Sequence, residues 1–100
     1  MAYSAKYYRE NKNKYRGYFL KKRYGISVSD YEDLVKAQNN RCALCQTKAK
    51  GYMDVDHDHE TKVVRGLLCR NCNRGLGYFK DNPDVLFEAS LYTRPVWGEP

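Results

Sequence analysis

The period of apolar and polar positions changes several times along this chain, and each change marks an element. Across residues 5–23, Tyr8, Tyr15, Tyr18 and Phe19 recur at spacings of seven, three and one. This thin stripe predicts a helix behind Ser4 as N-cap, with Gly25 as its stop, although Arg9–Lys14 is almost wholly polar and Gly17 falls inside. Ser29-Asp30-Tyr31-Glu32 reads as a capping box, in which Ser29 bonds the N3 amide and Glu32 reaches back to Ser29. Tyr31, Leu34 and Val35 then form a short apolar face that Asn39-Asn40 ends. Residues 53–58 and 63–68 read as two short strands, with Val63, Val64, Leu67 and Leu68 supplying bulk and Glu60-Thr61-Lys62 turning between them. Residues 70–79 read as a helix. Asn82-Pro83 opens a last one, with Asn as N-cap and Pro at N1, whose Val85, Leu86, Ala89 and Tyr92 are expected to pack on the rest. The chain thus divides into a basic, Tyr-rich helical arm (1–25), a central domain (26–93) and a loose tail (94–100) with two prolines, a glycine and Trp97.

Length and composition change this picture in one respect: the core needs help. A chain of 100 residues fits one domain. Such a domain buries only roughly 60–70% of its unfolded surface. Hydrophobic residues make up 42% of the chain, but 10 are tyrosines, whose hydroxyls require water or a partner. A staple is therefore expected, and the four cysteines are the candidates. No apolar run approaches the ~18–20 residues of a membrane span, and Met-Ala-Tyr-Ser-Ala-Lys offers no signal-peptide core. The expected location is cytoplasmic, where thiols stay reduced and available to metal.

Those cysteines form two C-x2-C pairs, Cys42/Cys45 and Cys69/Cys72, separated by 23 residues. Each pair presents two thiolates from one tight knuckle, and two knuckles close a tetrahedral zinc site. A disulfide framework would need an oxidising compartment, and a redox dithiol would leave one pair idle. Four thiolates fill the shell, so this zinc has a structural role with no open position for substrate.

Between the knuckles lies Asp56-His57-Asp58-His59, which holds both histidines of the chain. In isolation such a run is as readily a solvated turn. With the zinc already satisfied, however, its carboxylates suit a second, harder ion such as Mg2+ or Mn2+. An Asp-His at a strand end, a second strand and a metal-pinned helix whose first turn carries Asn73 together make a ββα-metal arrangement. The fold class is accordingly small α+β, a ββα-metal finger with a four-cysteine zinc site flanked by helices.

Charge points to the partner. The net charge is +6, and residues 1–25 carry eight Lys or Arg against a single Glu. Such a segment suggests a polyanion, most commonly nucleic acid, although a solubilising arm has the same composition. Lys21, Lys22 and Arg23 in the arm, and Arg65, Arg70 and Arg74 around the Asp-His run, are the candidate phosphate contacts. Six of the ten tyrosines precede residue 25 and either stack on exposed bases or pack the arm onto the domain.

Arg41-Cys-x2-Cys, then Val55-Asp-His-Asp-His-Glu60, then Val64-Arg-Gly-Leu-Leu-Cys-Arg-Asn-Cys-Asn73 resembles the phage recombination endonuclease VII family of HNH nucleases over about residues 41–79. The resemblance implies a metal-dependent DNA endonuclease that hydrolyses phosphodiester bonds with one catalytic ion. Asp56 and Asn73 would hold that Mg2+ or Mn2+, His57 would act as general base, and His59 would support metal or phosphate. Asp58 is read as orienting its neighbours. DNA that is branched, nicked or single-stranded is the expected substrate, low sequence specificity is expected, and a homodimer is left open. The alternative is a zinc-stabilised nucleic-acid-binding module without catalysis. One geometric condition attaches to the enzyme reading. Strict alternation sends Asp56 and His57 to opposite faces, so the two converge only where the strand ends or bends.

Overall fold

The computed structural model describes residue 6 and residues 12–94. They form a small α+β fold of four helices and one two-stranded sheet: α1 (Lys12–Tyr24), α2 (Val28–Ala37), β1 (Asp54–His57), β2 (Val64–Leu68), α3 (Arg70–Tyr78) and α4 (Pro83–Thr93). Helix α1 closes as expected at Gly25, whose φ of 72° only glycine adopts cheaply and whose N–H bonds Lys21 O at 2.9 Å. Lys21, Lys22 and Arg23 occupy its last turn, where the helix dipole favours cations. The expected start at Ser4 lies outside the described residues.

Helix α2 corrects the sequence reading by one motif. Its cap is Ser27, not Ser29: Ser27 Oγ accepts from Asp30 N at 3.0 Å, and Asp30 Oδ2 accepts from Ser27 N at 2.9 Å. The Ser27 amide and hydroxyl hold the Asp30 carboxyl below its ordinary value. Starting the helix two residues earlier brings Val28 onto its apolar face, and Val28 packs against the core. Asn39 and Asn40 end the helix with φ of 55° and 56°, the left-handed region asparagine tolerates.

The strands pair antiparallel with Asp54 opposite Leu68, Val55 opposite Leu67, Asp56 opposite Gly66 and His57 opposite Val64. Arg65 has no partner in this register, so a bulge falls between the Asp56 and His57 positions. The core is one small cluster of Leu20, Tyr31, Met53, Val55 and Leu67, edged by Tyr24, Ile26, Val28, Leu34 and Val35.

Two polar side chains tie distant segments to it by imitating a β-ladder. Tyr31 Oη accepts from Met53 N at 2.8 Å and donates to Met53 O at 3.0 Å. Gln38 Oε1 accepts from Leu67 N at 2.9 Å while its Nε2 donates to Leu67 O at 3.0 Å. Gly66 makes room for Gln38, since a Cβ there would lie 3.2 Å from Oε1. Tyr31→Phe leaves both Met53 groups without their partner. At about 1–3 kcal/mol per unsatisfied buried group, the expected loss in urea unfolding is about 2 kcal/mol or more. A loss under about 0.5 kcal/mol would show that water takes over the bonds.

Helix α4 is capped as expected, with Asn82 Oδ1 accepting from Asp84 N and Val85 N at 3.0 and 3.2 Å. Its predicted packing fails. It buries no residue, and Val85, Phe87, Leu91 and Tyr92 are 41, 63, 43 and 83% exposed. At 100° per residue its apolar side chains spread around the helix instead of forming one stripe for the core. No helix among the described residues is long and apolar enough to cross a membrane.

Candidate functional site

The first knuckle follows α2 directly. Cys42 N donates to Thr47 O and Gln46 N to Cys42 O, both at 3.0 Å, which folds residues 42–47 into a tight turn. The second knuckle joins β2 to α3: Cys69 is the N-cap of α3, and its Sγ accepts from Cys72 N at 3.4 Å. All four Sγ atoms lie within 4.8 Å of one another, and Cys45 Sγ and Cys69 Sγ are 3.9 Å apart. Tetrahedral bonds of about 2.3 Å would set sulfurs about 3.8 Å apart, so the donor set and its spacing fit zinc. Burial pushes both Cys42 and Cys72 up. At Cys42 the bonds to the backbone of Cys45, Cys69 and Leu44 outweigh it and bring the thiol down to about 6. Cys72 lacks that compensation and faces the other sulfurs, so its thiol is pushed up to about 12. A divalent cation removes this frustration by satisfying every thiolate at once.

The Asp-His run divides between two faces of β1. Asp54 and Asp56 leave the face that meets α3 and the turn after it, whereas Val55 enters the core and the His57 ring lies 5.4 Å from that of Tyr24 on α1. Asp56, with a side chain 13% exposed, is gripped by Arg65: Nε donates to Oδ2 at 2.8 Å and Nη2 to Oδ1 at 2.9 Å. Arg65 also reaches Asp81 Oδ2 at 3.2 Å, and His59 Nε2 approaches the same oxygen at 3.4 Å. Pairing with Asp56, reinforced by Asp81, raises the Arg65 guanidinium further above its ordinary value. The His57 and His59 rings are 5.1 Å apart. Asp58 turns away to cap the hairpin, its Oδ1 accepting from Glu60 N and Thr61 N at 2.8 and 2.9 Å. The Thr61 amide, followed by that of Glu60, holds its carboxyl below the ordinary value.

Asn73 faces the same side of β1 as Asp56, but its partner is Asp54: Nδ2 donates to Asp54 Oδ2 at 3.2 Å. Arg70 Nη2 lies 3.6 Å from the other Asp54 oxygen. Among the described residues no hydrogen bond joins Asp56 to Asn73 or to His57, and the cysteines are the one group of three or more His, Cys, Asp or Glu gathered closely enough to share an ion. Oxygen chemistry nonetheless leaves room for a hard cation. A carboxylate has about four lone-pair sites, of which Arg65 takes two from Asp56. The Asn73 amide nitrogen faces Asp54, which leaves its carbonyl oxygen as the acceptor.

A cleft of about 520 Å³ separates α1 from this region; its walls include Tyr15, Phe19 and Arg23 on one side and Asp54, Arg70 and Asn73 on the other. Arg16, also on this wall, lies 4.3 Å above the Tyr31 ring and 4.1 Å from that of Tyr52. Aromatic rings thus hold cations of the arm, and even Tyr18, 56% exposed, accepts from Lys22 Nζ at 3.2 Å.

The recombination endonuclease VII family matches residues 18–94, which contain both knuckles, the Asp-His run and Asn73. The chain belongs to the recombination endonuclease VII family. Among curated proteins it is 43% identical over 75 residues to the Gene 59 protein of Mycobacterium phage D29, a stretch covering 71% of this chain and 45% of that protein. It is 44% identical over 72 residues to the Gene 59 protein of Mycobacterium phage L5, covering 69% and 44%. The aligned stretch is thus less than half of each relative's length. No solved structure matches the chain. Within this endonuclease VII family member, three site features are not evident from the sequence reading. Asp54 has one available signal, its position two residues before Asp56 on the same strand face. Asp81 carries no local signal. Arg65 is expected at phosphate, and the bulge instead turns it onto Asp56 and Asp81. Arg74 lies exposed on α3.

Proposed function

We propose that this protein is a metal-dependent DNA endonuclease of the HNH type, hydrolysing phosphodiester bonds at a ββα-metal site formed by β1, β2 and α3. One observation carries the reading: the first turn of α3, in a recombination endonuclease family member, carries both the zinc ligand Cys72 and Asn73, and Asn73 faces the Asp-His strand. Asp56 and Asn73 supply hard oxygens for Mg2+ or Mn2+. That ion would neutralise charge growing on the phosphoryl oxygens. The resemblance makes His57 the base that takes the proton from the attacking water. Its ring lies beside Tyr24, away from the Asp56 and Asn73 face, so it would act at the end of β1, where the bulge after Asp56 bends the strand. The water oxygen bonds to phosphorus as the bond to the 3′ oxygen breaks, and that oxygen takes its proton from solvent, leaving 5′-phosphate and 3′-hydroxyl ends. His59, held by Asp81, supports metal or phosphate. The cleft beside α1, with Arg16, Arg23 and Arg70, takes the DNA backbone, with little sequence preference and a bias toward nicked, branched or single-stranded DNA. The phage relatives suggest action in the cytoplasm of an infected or lysogenic cell.

One observation favours a second reading, a zinc-stabilised DNA-binding module: Arg65 already engages both oxygens of Asp56. Supercoiled plasmid with Mg2+ or Mn2+ separates the two. The endonuclease converts it to nicked circles first and to linear DNA as nicks accumulate, and stops when a mild chelator is added. Retarded but uncut plasmid at every ion concentration would leave the binding module.

A further inference from the structure

Asn73 is pinned at its backbone. It follows Cys72 in the first turn of α3, and its N–H bonds Cys69 O at 3.0 Å. The freedom left to the end of its side chain is chiefly the amide torsion, a broad and roughly two-fold rotor whose two settings exchange oxygen for nitrogen. Only one setting offers oxygen to a cation. Asp54 decides between them: a carboxylate only accepts hydrogen bonds, so the end of the amide that faces Asp54 Oδ2 at 3.2 Å must be the nitrogen. Asp54 is itself held, since its other oxygen faces Arg70 Nη2 at 3.6 Å and its side chain is only 26% exposed.

We infer that Asp54 is a positioning residue, which fixes the Asn73 amide by accepting from Nδ2 and so commits Oδ1 to the catalytic cation. This rests on the reading of Asn73 as a metal ligand given above. Residues that orient a ligand in this way typically contribute about 10- to 100-fold in metal affinity. Asp54 also contributes simple negative charge, and the two effects separate chemically. Asp54→Asn keeps a carbonyl that can accept from Nδ2 but removes the charge, whereas Asp54→Ala removes both.

The test uses the full zinc-loaded chain and Mn2+ alone, with free Mn2+ read by electron paramagnetic resonance and the Asn73 side-chain NH2 signals read by NMR before metal is added. Zinc content and thermal midpoint are measured for each variant. Asp54→Ala is expected to weaken Mn2+ binding about tenfold or more and to shift and broaden the Asn73 NH2 pair, with zinc retained. Asp54→Asn is expected to stay close to the parent in both readouts. In an Asn73→Ala background, Asp54→Ala should have little further effect, because the two act through one interaction. Wild-type Mn2+ affinity in Asp54→Ala, or an equal loss in Asp54→Asn, would overturn the inference, the second by showing that charge alone matters. If Asn73→Ala itself binds Mn2+ normally, the ligand role of Asn73 fails and this inference fails with it. If Asn73→Ala is weakened and Asp54→Ala is not, the inference about Asp54 fails alone.

Discussion

Replacing Cys69 with serine is expected to unfold the central domain, and withdrawal of zinc by a strong chelator is expected to do the same. The packing leaves little else to hold it. Among the described residues, only Leu67 and Cys42 are large side chains buried to below 2% exposure, and the core cluster has five buried members. Helix α4 buries no residue. The apparent free energy of structural zinc binding, about 10–16 kcal/mol in small zinc domains, is comparable to or larger than the roughly 5–15 kcal/mol stability of a typical domain. Serine is the informative replacement because Cys69 is also the N-cap of α3. A hydroxyl still caps the helix, so the loss reports the metal bond and not the cap. Acid should act in the same direction. Thiols must lose their protons to bind zinc, so protons compete with the ion for the four sulfurs and lowering the pH favours release. Elemental analysis paired with circular-dichroism melts checks both points. A folded, zinc-free protein, or a Cys69→Ser variant melting at the parent temperature, would sink the prediction.

His57→Ala is expected to lose about 100- to 10,000-fold in single-turnover cleavage while keeping its zinc and its affinity for DNA. The side chain is half-buried at the end of β1, against Tyr24 and His59 rather than inside the core cluster, so truncation should cost chemistry more than fold. The neighbouring ring supplies the internal control. His59 lies 5.1 Å from His57 and is turned toward Asp81, so His59→Ala should lose less. Near-parental turnover by His57→Ala removes it from the mechanism. A deeper loss in His59→Ala than in His57→Ala would transfer the base to His59.

How much of the fold is legible in the chain follows from the range of the interactions. Gly25 as a helix stop, Asn39-Asn40 as a terminus, Asn82-Pro83 as an opening and both cysteine knuckles are readable, because each is chemistry within a few neighbouring residues. The strands fall within one residue of their expected ends, since bulk and turn residues bracket them locally. The α2 cap is ambiguous because Ser27-Asp30 and Ser29-Glu32 satisfy the same spacing, and only packing of Val28 on the core separates them. The α4 packing departs from expectation because periodicity shows which positions are apolar, not whether a surface exists to cover them.

The site shows the same division. The order of residues establishes which groups are present and near one another along the chain: four thiolates in two knuckles, an Asp-His run and an asparagine beside the last cysteine. Which of them meet is settled by the folded chain. Asp54 reaches Asn73 across 19 residues, Tyr31 reaches Met53 across 22, and Gln38 reaches Leu67 across 29. Arg65 turns onto Asp56 and Asp81 because a bulge leaves it without a cross-strand partner. Local chemistry follows from covalent neighbours, whereas these contacts depend on how α2, the sheet and α3 are held together by the core and the cysteine cluster.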